Sequence, residues 1–255
     1  RVTEVDAGML NSVGLQNPGV EAWLEDELPP LLATGARVVA SIWGFTVEAY
    51  EKAAAALAGA PPEVVAVEVN LSCPNVHGGA RSGESRRHMF AHSPALTAEA
   101  MAATAGCGRP RWAKLSPNVT DLTEIAGAAL GAGAEALTLV NTVMGMVIDV
   151  ETRRPRLGAG GGGLSGPAIR PVAVRAIYDV CSAFPDATVV GAGGIATGEH
   201  AVELMLAGAS AVEVGTATFA DPRAPARVAA ELERWCRRHN VARVADLVGR
   251  ARADT

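Results

Sequence analysis

The chain has 255 residues, 49% of them hydrophobic, and a formal net charge of −5. That length suits a single (β/α)8 barrel. No apolar run reaches the length of a membrane span, and an acidic balance without a Lys/Arg block beside aromatic residues disfavours a nucleic-acid surface.

Cys73, Cys107, Cys181 and Cys236 are scattered without CxxC spacing. This argues against a structural zinc site or a disulfide framework and fits a reducing cytoplasm. The opening RVTEVDAGML lacks the apolar core of a signal peptide. The chain up to about Pro30 reads as loop and helix, with a Gly-containing loop at residues 11–17 (NSVGLQN). Residues 38–43 (VVASIW) read as a strand and 47–58 as an Ala-rich helix. Residues 64–72 form the next strand, a run of β-branched and small residues that suits burial on both faces. Thr97 is expected to cap a helix running to about Thr104, with Glu99 in its first turn. WAKLS, 112–116, is a strand ending at Pro117 and Asn118. Asp121 with Glu124 resembles a capping box on a helix to Leu130, stopped by Gly131 and Gly133.

ALTLVNTV, 136–143, reads as one strand, followed by a long insertion from 144 to 163. Pro167 stands where the first turn of a helix belongs, and that helix continues to about Cys181. Residues 188–190 are a strand running into Gly191-Ala192-Gly193-Gly194. Thr197 caps a helix ending near Gly208, and 211–214 is the last strand, followed by Gly215-Thr216. EIAGAALGAGAEALTLVNT (124–142) echoes HAVELMLAGASAVEVGT (200–216): each is a helix, an AGA-type turn, then an apolar strand with a polar end. Repeated units of this kind specify a parallel sheet, and a (β/α)8 barrel fits best. Six strands are readable where a barrel has eight, so the expectation is a single domain, 1–255, lacking the first two strands.

The polar residues gather where strands end, which is where α/β barrels bind ligands. VEVNLSCPN (67–75) closes a buried strand with two amides, a hydroxyl and the Cys73 thiol. Lys114 lies on the following strand, and it and Lys52 are the only lysines among the basic residues. Asn141 and Thr142 end the strand after that. Glycine turns follow the last two strands, a common barrel arrangement for holding a phosphate with backbone N–H groups. A phosphate cradle, one cation, several amides and a thiol are the parts that flavin chemistry uses.

NSVGLQNPG, VNLSCPN, KLSPNVTD, LVNT, GGLSGPAI, GAGGI and GTATFADP, in order and at matching spacing, resemble class 1 dihydroorotate dehydrogenases, nearer the 1B type. The resemblance implies an FMN-containing barrel that oxidises dihydroorotate in pyrimidine biosynthesis. In the family's terms Cys73 is the base. Asn11, Asn70, Asn75, Asn141, Thr142 and the backbone at Gly14 and Leu15 hold the substrate. Asn70, Lys114, Val140, Ser165, Gly166, Gly191, Gly193, Gly194, Gly215 and Thr216 hold FMN. The resemblance further implies a homodimer and an FAD/iron–sulfur electron-transfer subunit. The family's N-terminal stretch, with its first two strands and an active-site Lys, is unmatched, so weak or absent flavin binding is expected of residues 1–255 alone. The competing readings are a related dihydropyrimidine or dihydrouridine oxidoreductase, and an inactive truncated barrel.

Overall fold

The computed structural model describes residues 1–72 and 89–252. Within them the six apolar runs form the strands Val38–Ile42, Val64–Asn70, Arg111–Lys114, Ala136–Leu139, Val189–Ala192 and Ala211–Glu213. They are hydrogen-bonded side by side in chain order. The first three run parallel to one another, as do the last two. Between them come the helices Val47–Ala56, Pro94–Ala103, Leu122–Gly131, Arg170–Ala183 and Gly198–Ala207. Strand–helix alternation with spatial order equal to chain order is the pattern of a (β/α) barrel, six of whose strands lie among the described residues. Val64, Val67, Val69, Leu137, Leu139 and Val189 are fully buried in these strands. Each such aliphatic side chain contributes about 2 kcal/mol relative to exposure.

Local chemistry sets the element boundaries, not always where the spacing predicts. Thr197 caps its helix as expected, its hydroxyl oxygen accepting the His200 N–H at 3.3 Å. The helix expected from Thr97 starts earlier, at Pro94, with Ser93 as its cap and Pro94 in its first turn. Ser93 is extended and leads into a proline whose fixed φ already suits a helix, so it outcompetes Thr97. Thr97 is buried inside the helix and its hydroxyl donates to the Phe90 carbonyl at 3.0 Å. The stretch after Pro167 is first a short 3-10 turn, Pro167–Ile169, and only then the helix Arg170–Ala183.

Two readings need correction. The N-terminus is not loop and helix throughout: Val2–Val5 and Gly8–Asn11 form an antiparallel hairpin ahead of the helical residues 20–32. It belongs to a separate four-stranded antiparallel sheet, continued by Gly162–Ser165 and Val143–Gly145. Residues 136–143 are likewise not one strand. The barrel strand stops at Leu139, and Val143–Gly145 pairs in that second sheet. The insertion after it carries the small Ile148–Asp149/Arg154–Pro155 hairpin.

By contacts the chain divides into two compact units. One holds Arg1–Val13, Ser116–Thr123 and Thr138–Thr255; the other holds Gly14–Leu115 and Glu124–Leu137. Among the described residues no helix is long and apolar enough to cross a membrane.

Candidate functional site

In the unit formed by 14–115 and 124–137, Asn70 and Lys114 are register partners at the ends of adjacent parallel strands. The period of two along a strand places Glu68 on the same face as Asn70. Glu68 is 5% exposed. Lys114 Nζ donates to its two carboxylate oxygens at 3.2 and 3.3 Å, and Ser41 Oγ donates to Oε1 at 3.1 Å. A buried carboxylate of this kind is tolerable only with such partners. The Asn70 side chain is turned by its neighbours: Oδ1 accepts from the Ser72 N–H at 3.3 Å and from Ser72 Oγ at 3.4 Å. The Tyr50 hydroxyl donates to the Asn70 carbonyl at 2.8 Å and so fixes the strand end. Gly14, Leu15, Ser41, Trp43 and Asn70 line one cavity of about 710 Å³. Gly14 has φ 84°, a conformation that glycine adopts at no steric cost.

In the other unit, the antiparallel sheet sets Asn11 opposite Gly163, and Asn11 Nδ2 donates to the Gly163 carbonyl at 3.3 Å. A Cβ on Gly163 would come within 2.7 Å of Thr142 Cβ, so only glycine lets Thr142 sit there. Asn141 Oδ1 accepts the Thr142 N–H at 2.8 Å. Asn118 organises the same corner: Nδ2 donates to the Thr142 carbonyl at 3.0 Å and to Ser116 Oγ at 2.9 Å, and Oδ1 accepts the Met144 N–H at 2.8 Å. Ser165 is buried, its Oγ donating to the Met9 carbonyl at 3.4 Å. Gly166 (φ 92°) packs so close that a Cβ would lie 2.8 Å from Gly8 Cα.

The two glycine turns meet expectation in placement. Gly191 pairs with Val212 and Ala192 with Glu213 on adjacent parallel strands, so both turns leave from the same end of the sheet. Val140 is buried beside them, and its N–H donates to the Ala192 carbonyl at 2.7 Å. Gly193 and Gly194 take φ of 122° and 77°. A Cβ on Gly194 would fall 2.6 Å from Arg170 Cβ and 2.8 Å from its Cα. After the last strand the Thr218 N–H and hydroxyl donate to the Gly215 carbonyl at 2.9 and 2.7 Å, tightening the turn through Thr216.

Residues 1–235 match the family model described as dihydroorotate dehydrogenase. The chain belongs to the dihydroorotate dehydrogenase family. It is 50% identical over 252 residues to the catalytic subunit of a dihydroorotate dehydrogenase B (NAD(+)) of Desulforudis audaxviator. It is 48% identical over 254 residues to a putative dihydroorotate dehydrogenase A (fumarate) of Solibacter usitatus. A further B-type catalytic subunit, of Geobacter sulfurreducens, is 44% identical over 250 residues. In each case 98% of this chain aligns with 79% of the relative. The family consists of flavin-dependent oxidoreductases.

For a dihydroorotate dehydrogenase, the predicted residues fall into two groups by unit. Asn11, Val140, Asn141, Thr142, Ser165, Gly166, Gly191, Gly193, Gly194, Gly215 and Thr216 belong to one; Gly14, Leu15, Asn70 and Lys114 to the other. Cys73 and Asn75 lie outside the described residues. Sequence reasoning passed over Glu68, Ser41, Asn118 and His200. Glu68 had a legible signal, since it is the one charged residue inside VVAVEVN. Asn118 sat in the quoted KLSPNVTD stretch without a role. His200 accepts the Ala196 N–H on Nδ1 at 3.1 Å, and burial, then the neighbouring Arg170, hold its pKa below the ordinary value of 6.5.

Proposed function

We propose that this protein, through one FMN-binding domain spanning 1–255, oxidises dihydroorotate to orotate in pyrimidine biosynthesis. The observation that carries the reading is the Asn70–Lys114 pair at adjacent strand ends, within a chain whose residues 1–235 match the dihydroorotate dehydrogenase family.

The donor set suits a flavin mononucleotide. The turns at 191–194 and 215–216 emerge together and offer backbone N–H groups to a phosphate. Lys114, with Asn70 beside it, holds a positive charge for the pyrimidine edge of the ring system, while Val140, Ser165 and Gly166 supply packing and backbone contacts. Bound FMN would supply a two-electron acceptor for oxidation of the substrate. Asn11, Asn70, Asn75, Asn141 and Thr142, with the backbone at Gly14 and Leu15, hold the flat pyrimidine by in-plane donors and acceptors. Cys73, as thiolate, takes the proton from C5. The protein works in the cytoplasm as a homodimer and passes electrons to NAD+ through an FAD/iron–sulfur subunit. Several relatives named as catalytic subunits support that partner, and the three described cysteines, buried and unpaired, suit a reducing compartment.

The test is anaerobic mixing of the full-length protein with dihydroorotate while the flavin absorbance is followed. Wild type is reduced; Cys73→Ser is reduced slower by about 10²–10⁴ near neutral pH, the usual size of a lost general base. Wild-type flavin that dihydroorotate leaves oxidised rules out the substrate, and an unchanged rate in Cys73→Ser rules out the base.

A further inference from the structure

We propose that His200 is a positioning residue for the flavin phosphate: by gripping the exit of the glycine turn at 191–194 it holds that turn in its anion-binding shape. The inference rests on the flavin reading above and adds to it a residue outside the phosphate cradle itself.

A turn containing two glycines at positive φ has little intrinsic preference for one shape, because glycine loses more conformational freedom on ordering than any other residue. Gly193 and Gly194 are such a pair. Its shape must therefore be imposed from outside, and the structure shows how. At the entrance the Val140 N–H holds the Ala192 carbonyl. Along its flank Gly194 lies against the backbone of Arg170, with no room for a Cβ. At the exit both polar groups of Ala196 are taken by side chains: His200 Nδ1 accepts its N–H at 3.1 Å, and Arg227 Nη1 donates to its carbonyl at 3.0 Å.

The exit is anchored further along as well. The Gly198 N–H donates to Glu231 Oε2 at 2.8 Å, and Glu231 pairs with Arg227 at 3.3 Å. Gly198 permits this approach, since a Cβ there would lie 2.5 Å from the Glu231 carbonyl carbon. The amides of Ala196, Gly198 and His200 are thus spent inside the clamp. Those of Gly193 and Gly194 stand outside it, at the strand end where Gly215 also emerges.

Of the two side chains on Ala196, His200 sets the shape more firmly. Arg227 is 40% exposed and shared with Asp221 and Glu231, so water screens and competes with it. His200 is part-buried on the rigid helix Gly198–Ala207. Accepting on Nδ1 requires the neutral imidazole with its proton on Nε2. Arg170 from the helix Arg170–Ala183, with Glu199 and Glu203 on its own helix, are the charged groups acting on it.

The test separates phosphate from ring. FMN and riboflavin share the isoalloxazine, and only FMN carries phosphate. Binding of each to full-length apoprotein is measured by flavin fluorescence quenching for wild type, His200→Leu and His200→Asn, with circular dichroism to establish folding. His200→Leu should weaken FMN about tenfold, the equivalent of one hydrogen bond, and leave riboflavin within about twofold. His200→Asn, whose Oδ1 can accept the Ala196 N–H where Nδ1 did, should restore FMN to within about threefold of wild type. Equal weakening of both ligands by His200→Leu, no weakening of either, or failure of Asn to rescue overturns the positioning role. Wild type that binds both ligands equally removes the phosphate turn and this proposal with it. Wild type that binds neither removes the flavin reading itself.

Discussion

Replacing Glu68 by Gln should cost this protein about 3 kcal/mol, the range measured when one partner of a buried ion pair is lost. Lys114 Nζ stands 3.2 Å from the nearer Glu68 oxygen, with side-chain exposures of 19% for the lysine and 7% for the carboxylate. At an effective dielectric of about 20 that separation corresponds to about 5 kcal/mol of attraction. Gln keeps the shape and can still accept from Lys114 and Ser41, which returns part of the loss. It cannot supply the counter-charge, and Lys114 is too enclosed to be fully rehydrated. Urea unfolding of wild type, Glu68→Gln, Lys114→Met and the double variant forms a cycle that isolates the pair from the individual truncations. The coupling should be about 2 kcal/mol, because the second substitution removes the charge whose carboxylate partner the first took away. Additive effects within about 0.5 kcal/mol would show that the two groups do not act as a unit, and the argument would fail.

Further outcomes follow from the other contacts. Asn118→Ala removes hydrogen bonds to Ser116, Thr142 and Met144 at once; the melting temperature should fall by the equivalent of about 1–3 kcal/mol, and KM for dihydroorotate should rise. An unchanged melting temperature would mean that water replaces all three. Gly163→Ala drives a methyl into Thr142, and overpacking of this kind costs about 1–3 kcal/mol, measurable as a lower urea midpoint. If that midpoint holds, the strand gives way more easily than its pairing implies. His200 is held neutral in the folded state, its pKa below 6.5 through burial and then Arg170. The unfolded chain therefore binds the proton first. His200's contribution to stability is complete above about pH 6.5 and declines as pH falls through the lowered folded value. Thermal midpoints across this range should decline more in wild type than in His200→Asn, and parallel curves would contradict the assignment.

The amino-acid sequence determined by itself what depends on near neighbours. A short β-branched run such as 64–70 reads as a buried strand because its length and branching suit a strand covered on both faces. Thr197 before Gly198 caps a helix because its hydroxyl reaches an amide three residues on. The positions of the glycine turns after the last two strands were legible for the same reason: residue type and spacing carry them.

What tertiary structure decided was pairing over long chain separations. The hairpin at residues 2–11 is too short to announce itself, and its strands gain their place from Gly162–Ser165, some 150 residues away in register. Glu68, the one charged residue in its apolar run, meets Lys114 and Ser41 only because the flanking strands bring them onto it. The clearances at Gly163 and Gly194, and the reach of His200 and Arg227 to one peptide, likewise exist only once distant segments share a small volume. Local preference writes the elements, whereas burial of charge and backbone in common space selects which of them meet.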